Sequence, residues 1–253
     1  MTARTEDRGS LRYFFIHIQK AAGTELRELL KRQFPPHALY PNPTDGELLA
    51  DWPQLSVGQL LARWSVRRSE IRMITGHFPF ATTELLGADF VTLSVLREPV
   101  ERVLSQLRHS RRMKPEERDL SLEEMYERST PLTIPRNHMA TMFALSADEV
   151  AATAAKGTWA LLMRVELDRA RFALAKERLE RVDALGLQER FDDFRAEVEA
   201  RFGWELGAPL HANSTVPSPV SSALRARIAA DNAVDIELYA FAHELLNRRA
   251  RPR

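Results

Sequence analysis

The chain has 253 residues, of which 44% are hydrophobic and 28% charged, the composition of a soluble globular protein rather than of a disordered, collagen-like or coiled-coil chain. Its 36 Lys and Arg against 35 Asp and Glu leave a net charge of +1, too small a surplus for a protein that lives on nucleic acid or an anionic membrane. With no cysteine, it has no disulfide framework, no thiolate-bound zinc, no iron–sulfur cluster and no thiol nucleophile.

Residues 1–10 are charged and are expected to be flexible. The apolar run that follows, Tyr13 to Ile18, is too short for a signal-peptide core, and no apolar stretch reaches the roughly 18 residues of a membrane span. A cytoplasmic protein without a membrane anchor is the expectation. Arg12 to Ile18, rich in aromatic and β-branched residues, reads as a buried strand. From Thr24, the residues Leu26, Leu29, Leu30 and Phe34 recur at helical spacing until Pro35 and Pro36 stop them. Pro41 to Asp51 reads as a loop and Val57 to Trp64 as a short helix. Arg72 to Thr75 is a second strand, followed by Gly76 and His77. Phe90 to Leu96 is the clearest strand, and Pro99 opens a helix to about Arg112. Helical periodicity returns at Leu122 to Tyr126, Arg136 to Leu145 and Asp148 to Ala155. A strand is expected over Trp159 to Val165, a helix over Leu167 to Arg181 and a short strand over Val182 to Leu185. Phe191 to Phe202 and Ser222 to Arg248 complete the chain as helices. Strands alternating with helices imply an α/β fold, a central parallel sheet flanked by helices, in one domain over 1–253.

Two segments carry chemistry. The first is Phe14 to Leu30, FFIHIQKAAGTELRELL, in which a small-residue loop joins a buried strand to a helix start. Such a loop presents backbone N–H groups and the positive end of the helix dipole to an anion. Gly23 allows close approach, Thr24 can cap the helix and Lys20 adds a point charge. Lys20 precedes Gly23 by three residues, whereas the nucleoside-triphosphatase P-loop places its Lys after the last Gly. The second is Phe90 to Ser110, FVTLSVLREPVERVLSQLRHS. Arg97 leaves the carboxyl end of a strand, where parallel sheets bind ligands, and Ser105 lies about two helical turns beyond it. A guanidinium at the helix mouth and a hydroxyl on its flank can hold one phosphate together.

Together these segments resemble the family 2 sulfotransferases, the group containing the heparan sulfate 2-O- and 6-O-sulfotransferases. The first is similar to their 5′-phosphosulfate loop, HIPKTAGTS-like, and the second to their 3′-phosphate segment, LREPVERxLSxY-like. Weaker likeness continues in ALGLQERFDDF, Ala184 to Phe194, and in DNAVDIELYAFAHELL, Asp231 to Leu246. The resemblance implies a P-loop-like fold and transfer of a sulfuryl group from 3′-phosphoadenosine 5′-phosphosulfate (PAPS) to an acceptor hydroxyl. It assigns the donor to Lys20, Ala21, Ala22, Gly23, Thr24 and Glu25 at the 5′ end and to Arg97 and Ser105 at the 3′-phosphate. In LHANSTVPSP, Leu210 to Pro219, Asn213 and Ser214 become candidate nucleotide contacts. The chain departs from the family at Gln19, where Pro is usual, and at Glu25, where Ser or Thr is usual. A carboxylate at Glu25 repels donor phosphates unless it points outward.

Transfer to a hydroxyl needs a base, and His77, in the GH turn past a strand, is the candidate, with an expected pKa near 6.5. His17 reads as a core histidine, and His138 and His211 as helpers at most. Arg108 to Lys114, RHSRRMK, reads as a solvated helix end or a patch for an anionic glycan. Tyr40, Trp52 and Trp64 are a candidate sugar platform, although scattered aromatics are usually core. No metal is expected. The rival readings are a P-loop phosphotransferase or kinase using ATP and magnesium, and a non-catalytic nucleotide- or glycan-binding module.

Overall fold

The structure, a computed structural model, describes residues 11–42, 56–130, 133–152, 154, 165–207 and 219–250. Its first strand, β1 (Tyr13–Ile16), is buried along its whole length, as the middle strand of a sheet covered on both faces must be. It lies between β3 (Met73–Gly76) and β4 (Val91–Leu96), with β2 (Leu39–Tyr40) and β5 (Ala184–Leu187) at the edges. The order is β2-β3-β1-β4-β5 and every pair is parallel. Ile16 faces Gly76 on one side and Ser94 on the other, so β1 and β3 release their chains at one level and β4 two residues later.

Alternation along β1 sends its side chains to two cores. Tyr13 and Phe15 pack with Leu26, Leu29 and Leu30 of α1 (Gly23–Lys31). Phe14 and Ile16 pack on the opposite face with Leu60 of α2 (Val57–Arg67) and Phe143. Each such side chain contributes about 1.5–3 kcal/mol on burial, which is why the short apolar runs suffice as strands. Between β3 and β5 the chain forms α3 (Thr82–Leu86), α4 (Pro99–Met113), α5 (Leu122–Arg128), α6 (His138–Ala144), α7 (Ala147–Ala152) and α8 (Arg169–Glu180). After β5 come α9 (Phe191–Phe202), α10 (Ser222–Asp231) and α11 (Ala233–Ala250).

The structure differs from the sequence expectation at several elements. The helix expected over Ser222 to Arg248 is two helices that break at Asn232. Asn232 is buried, and its amide oxygen accepts from Asn137 N at 2.9 Å while its amide nitrogen donates to Ile228 O at 2.9 Å. β2 and α3 are too short to leave a periodic signal. The strand expected over Val182 to Leu185 begins two residues later. Residues 159–164 of the expected strand ending at Val165 lie outside the described residues, and Val165 itself is not in a strand.

One buried charge pair ties the C-terminal helix to the sheet's helices. Asp235 is fully buried, accepts from Met139 N at 3.1 Å and Ala140 N at 2.8 Å, and stands 4.0 Å from Nε of the buried Arg102. Asp235 thereby caps α6 from α11 and answers a guanidinium on α4. Asp235→Ala leaves Arg102 and two amide groups without their partner, and should cost about 3–5 kcal/mol in urea denaturation. Stability within 1 kcal/mol of the parent would contradict this assignment.

Candidate functional site

Loops leaving the carboxyl ends of β1, β3 and β4 converge. After β1 the chain passes through the left-handed region at Lys20 (φ 64°) and again at Ala22 (φ 56°), while Ala21 between them does not. Neither residue is Gly, so each costs about 1–3 kcal/mol that the surroundings must offset. Alternation of this kind turns successive N–H groups into one concavity, an arrangement that suits an anion. The N-cap of α1 is Ala22, which has no side chain able to cap, so the expectation that Thr24 caps the helix is corrected: Thr24 is its second residue. The first-turn N–H groups, Gly23, Thr24 and Glu25, therefore have no intrahelical acceptor. Gly23 is required by contact, because a Cβ there would run into the imidazole of His17.

Lys20 is half-buried in this turn. Burial, with Arg112 and Arg97 nearby, pushes its pKa down to about 8. No carboxylate among the described residues pairs with it. Arg97, just past β4, donates from Nη1 to the Lys20 carbonyl oxygen at 3.1 Å, so the two predicted anion-binding segments meet. Burial lowers the Arg97 pKa against the pull of Glu101, Glu189 and Glu98. Lys20, acted on by Arg112 and Arg97 at the mouth of a helix, marks a place for an anion, while Arg97 is partly answered by Glu101, Glu189 and Glu98.

Ser105 is partly exposed on α4 and makes no side-chain hydrogen bond among the described residues. Ser105, Arg108, His109 and Arg112 follow at spacings of three and four and so share one stripe of the helix. His109 and Arg112 both act electrostatically with Lys20, which places the stripe toward the loop. Arg112 Nη2 donates to His109 Nδ1 at 3.2 Å. The basic run thus divides: Arg112 and His109 belong to the cluster, whereas Lys114 pairs with Glu117 at 2.7 Å. From sequence the run reads whole, as a solvated helix end or a glycan patch; the recurrence from Ser105 is the signal that separates it.

His77 follows β3. Its Nδ1 lies 2.7 Å from the His17 carbonyl oxygen, which can only accept, so Nδ1 carries the proton and Nε2 keeps the lone pair. The rings of His77 and His17 lie 4.1 Å apart at 33°. Burial, reinforced by Arg27 and Lys20, pushes the His77 pKa down to about 4 from the value near 6.5 expected before any environmental shift. His77 is therefore neutral at pH 7 and able to accept a proton. His17 is buried, as expected of a core histidine, and stacks on Phe15 at 5.3 Å. It also touches both Gly23 and His77, a position the sequence did not reveal. His138, in α6, is fully buried and interacts electrostatically with Arg102 and His77.

Other candidates fall away from the cluster. Tyr40 and Trp64 are core residues at 1% and 6% exposure, and Trp64 Nε1 donates to Leu86 O at 2.9 Å, so of the two readings they take the core one and not that of a sugar platform. Trp52, His211, Asn213 and Ser214 lie outside the described residues. Glu25 has one carboxylate oxygen buried with no hydrogen-bond partner, so it does not simply point into solvent. Cavities of ≈ 580 Å³ beside Tyr13 and Trp204 and ≈ 300 Å³ beside Leu107 and Met125 include none of Lys20, His77 or Arg97. Among the described residues no three His, Asp or Glu side chains are placed to share a metal ion, and no helix is long and apolar enough to cross a membrane.

No family model matches the chain, and no curated protein matches it. Among solved structures, a sulfotransferase from Alicyclobacillus acidocaldarius is similar to it, with 18% sequence identity and a TM-score of 0.48. The match covers 92% of this chain and 96% of that one.

Proposed function

We propose that the chain is a PAPS-dependent sulfotransferase that moves a sulfuryl group to an acceptor hydroxyl, on a carbohydrate that can itself be anionic. The observation that supports this reading is the meeting of Lys20 and the uncapped start of α1 with Arg97 through the Lys20 carbonyl oxygen, and with His77 through the His17 ring that touches both Gly23 and His77. In this scheme the N–H groups from Ala21 to Glu25 and the Lys20 ammonium hold the 5′-phosphosulfate. Arg97 and Ser105 hold the 3′-phosphate and so discriminate PAPS from ATP. Asn213 and Ser214 are proposed as nucleotide contacts on the sequence resemblance alone.

In the transfer, the acceptor oxygen forms a bond to sulfur as the bond from sulfur to the phosphate oxygen breaks. The acceptor proton passes to His77 Nε2, and the electrons of the broken bond leave on 3′-phosphoadenosine 5′-phosphate (PAP). In this scheme Lys20 and the loop N–H groups stabilise the charge growing on that phosphate. Neither the acceptor nor the donor needs a metal ion in this scheme.

Transfer of radioactive sulfur from labelled PAPS to a panel of glycans, lipids, peptides and small alcohols tests the proposal. Label carried to a hydroxyl supports it. Transfer of radioactive phosphorus from γ-labelled ATP, with none of the sulfur label from PAPS, would favour the phosphotransferase reading. Binding of PAP without transfer to any class of acceptor would favour a binding module.

Arg97→Ala isolates the 3′-phosphate assignment. It should weaken PAP by about 1.5–3 kcal/mol, the range for a lost charged hydrogen bond, while adenosine 5′-phosphosulfate binds nearly as before. Calorimetric titration of both ligands is the measurement. Equal losses would show that Arg97 acts on the loop through Lys20 O rather than on the 3′-phosphate.

A further inference from the structure

The mechanism above leaves His17 without a task, although it is the side chain that touches both halves of the site. Its ring lies against Gly23, where α1 begins, and 4.1 Å from His77. Its carbonyl oxygen takes the His77 Nδ1 proton at 2.7 Å, and its main-chain N–H donates to Gly76 O at 3.1 Å, one residue before His77. Phe15 stacks on the ring at 5.3 Å. One residue therefore supplies the floor, one wall and the hydrogen-bond anchor of His77.

We propose that His17 is a positioning residue for His77, holding it beside the first turn of α1 so that the anion bound there makes His77 a stronger base. This inference rests on reading the cluster as an anion site and His77 as the base. The charged and titratable groups that act on the pair are Lys20 of the loop, Arg27 of α1 and His138 of α6, and none is acidic. Burial disfavours a proton on either imidazole, and these neighbours add to the effect. A bound phosphate or phosphosulfate reverses the sign of that field. The base is then weak while the site is empty and strengthens when the donor is in place. A fixed ring is essential: an imidazole free to swing into water loses both the suppression and the response.

The test is an NMR titration of the histidine ring signals in the full chain, with and without PAP, using His77→Asn to assign the His77 signal. In the parent, saturating PAP should raise the His77 pKa from its low starting value by about one pH unit or more, the scale for an opposite charge at close range. His17→Ala should bind PAP at pH 7 within a fewfold of the parent. Its His77 should start nearer 6.5, and its response to PAP should fall to less than half. His17→Phe keeps a flat ring between Gly23 and His77 and should restore both the low start and the large response. Mere core filling would alter stability but leave these pKa responses unchanged.

A parent whose His77 signal ignores bound PAP overturns the proposal, as does a full response in His17→Ala. If that variant does not fold, the proposal stands or falls on the parent and His17→Phe: a parent response that Phe abolishes also overturns it. If PAP does not bind, inorganic pyrophosphate is the probe. A His77 response to pyrophosphate then supports the coupling while the PAPS reading fails. No response to either anion overturns the coupling.

Discussion

His77→Ala is expected to fold, to bind PAP with little change, and to lose sulfuryl transfer by about 10²–10⁴-fold, the span for a missing general base. The geometry behind this is specific. Nδ1–H is committed to the His17 carbonyl oxygen, so the ring presents one nitrogen lone pair, at Nε2. His77→Asn should do no better, because an amide can imitate the Nδ1 hydrogen bond but cannot take a proton at neutral pH. The pH dependence follows from the depressed pKa: in the ligand-free protein His77 becomes protonated only as pH falls toward about 4. The same depression costs folding stability as pH falls from about 6.5 toward 4, because there the unfolded chain binds more protons than the native one. Steady-state transfer and PAP calorimetry on both variants check the prediction. A His77→Asn protein with most of its activity would make the residue a turn former.

Lys20→Ala is expected to lower turnover by about two or more orders of magnitude, the scale of one lost electrostatic contact in a transition state. Folding should survive, since among the described residues the side chain has no carboxylate partner to abandon. Removing it even relieves repulsion with Arg97 and Arg112. The alkaline side offers a second check. With its pKa pushed down to about 8, Lys20 loses its charge in a range where PAP does not titrate, so PAP affinity should decline above about pH 8. Lys20→Arg, charged throughout that range, should show no such decline. Turnover near that of the parent in Lys20→Ala would remove the loop from the donor site.

Much of the scaffold was legible because the physics is local. β1, β3 and β4 are short apolar runs bounded by polar residues, and Pro99 marks the start of α4 through its missing N–H. The helix Phe191–Phe202 was read to its ends, with Gly203 in the left-handed conformation closing it. The break at Asn232 was not legible, since it depends on a side chain bonding Asn137 from a distant segment. Nor did the sequence announce left-handed backbone at Lys20 and Ala22, where no Gly stands.

The site was legible as pieces but not as an assembly. Lys20, His77 and Arg97 were chosen on separate grounds, and only the strand order places β3 and β4 on either side of β1. Once that order is known, the register of Ile16 with Gly76 puts His17 next to His77. The low pKa of His77 escaped for the same reason. It arises from burial and from Arg27 and Lys20, neither of which is near His77 in the chain.

The central claim is that the cluster accepts a donor carrying both a 5′-phosphosulfate and a 3′-phosphate. Calorimetric titration of the full chain with PAP and with ATP, each with and without magnesium, tests it most directly. The account predicts one PAP bound per chain, without a magnesium requirement, and weaker binding of ATP, which lacks the 3′-phosphate. Tighter, magnesium-dependent binding of ATP would contradict it.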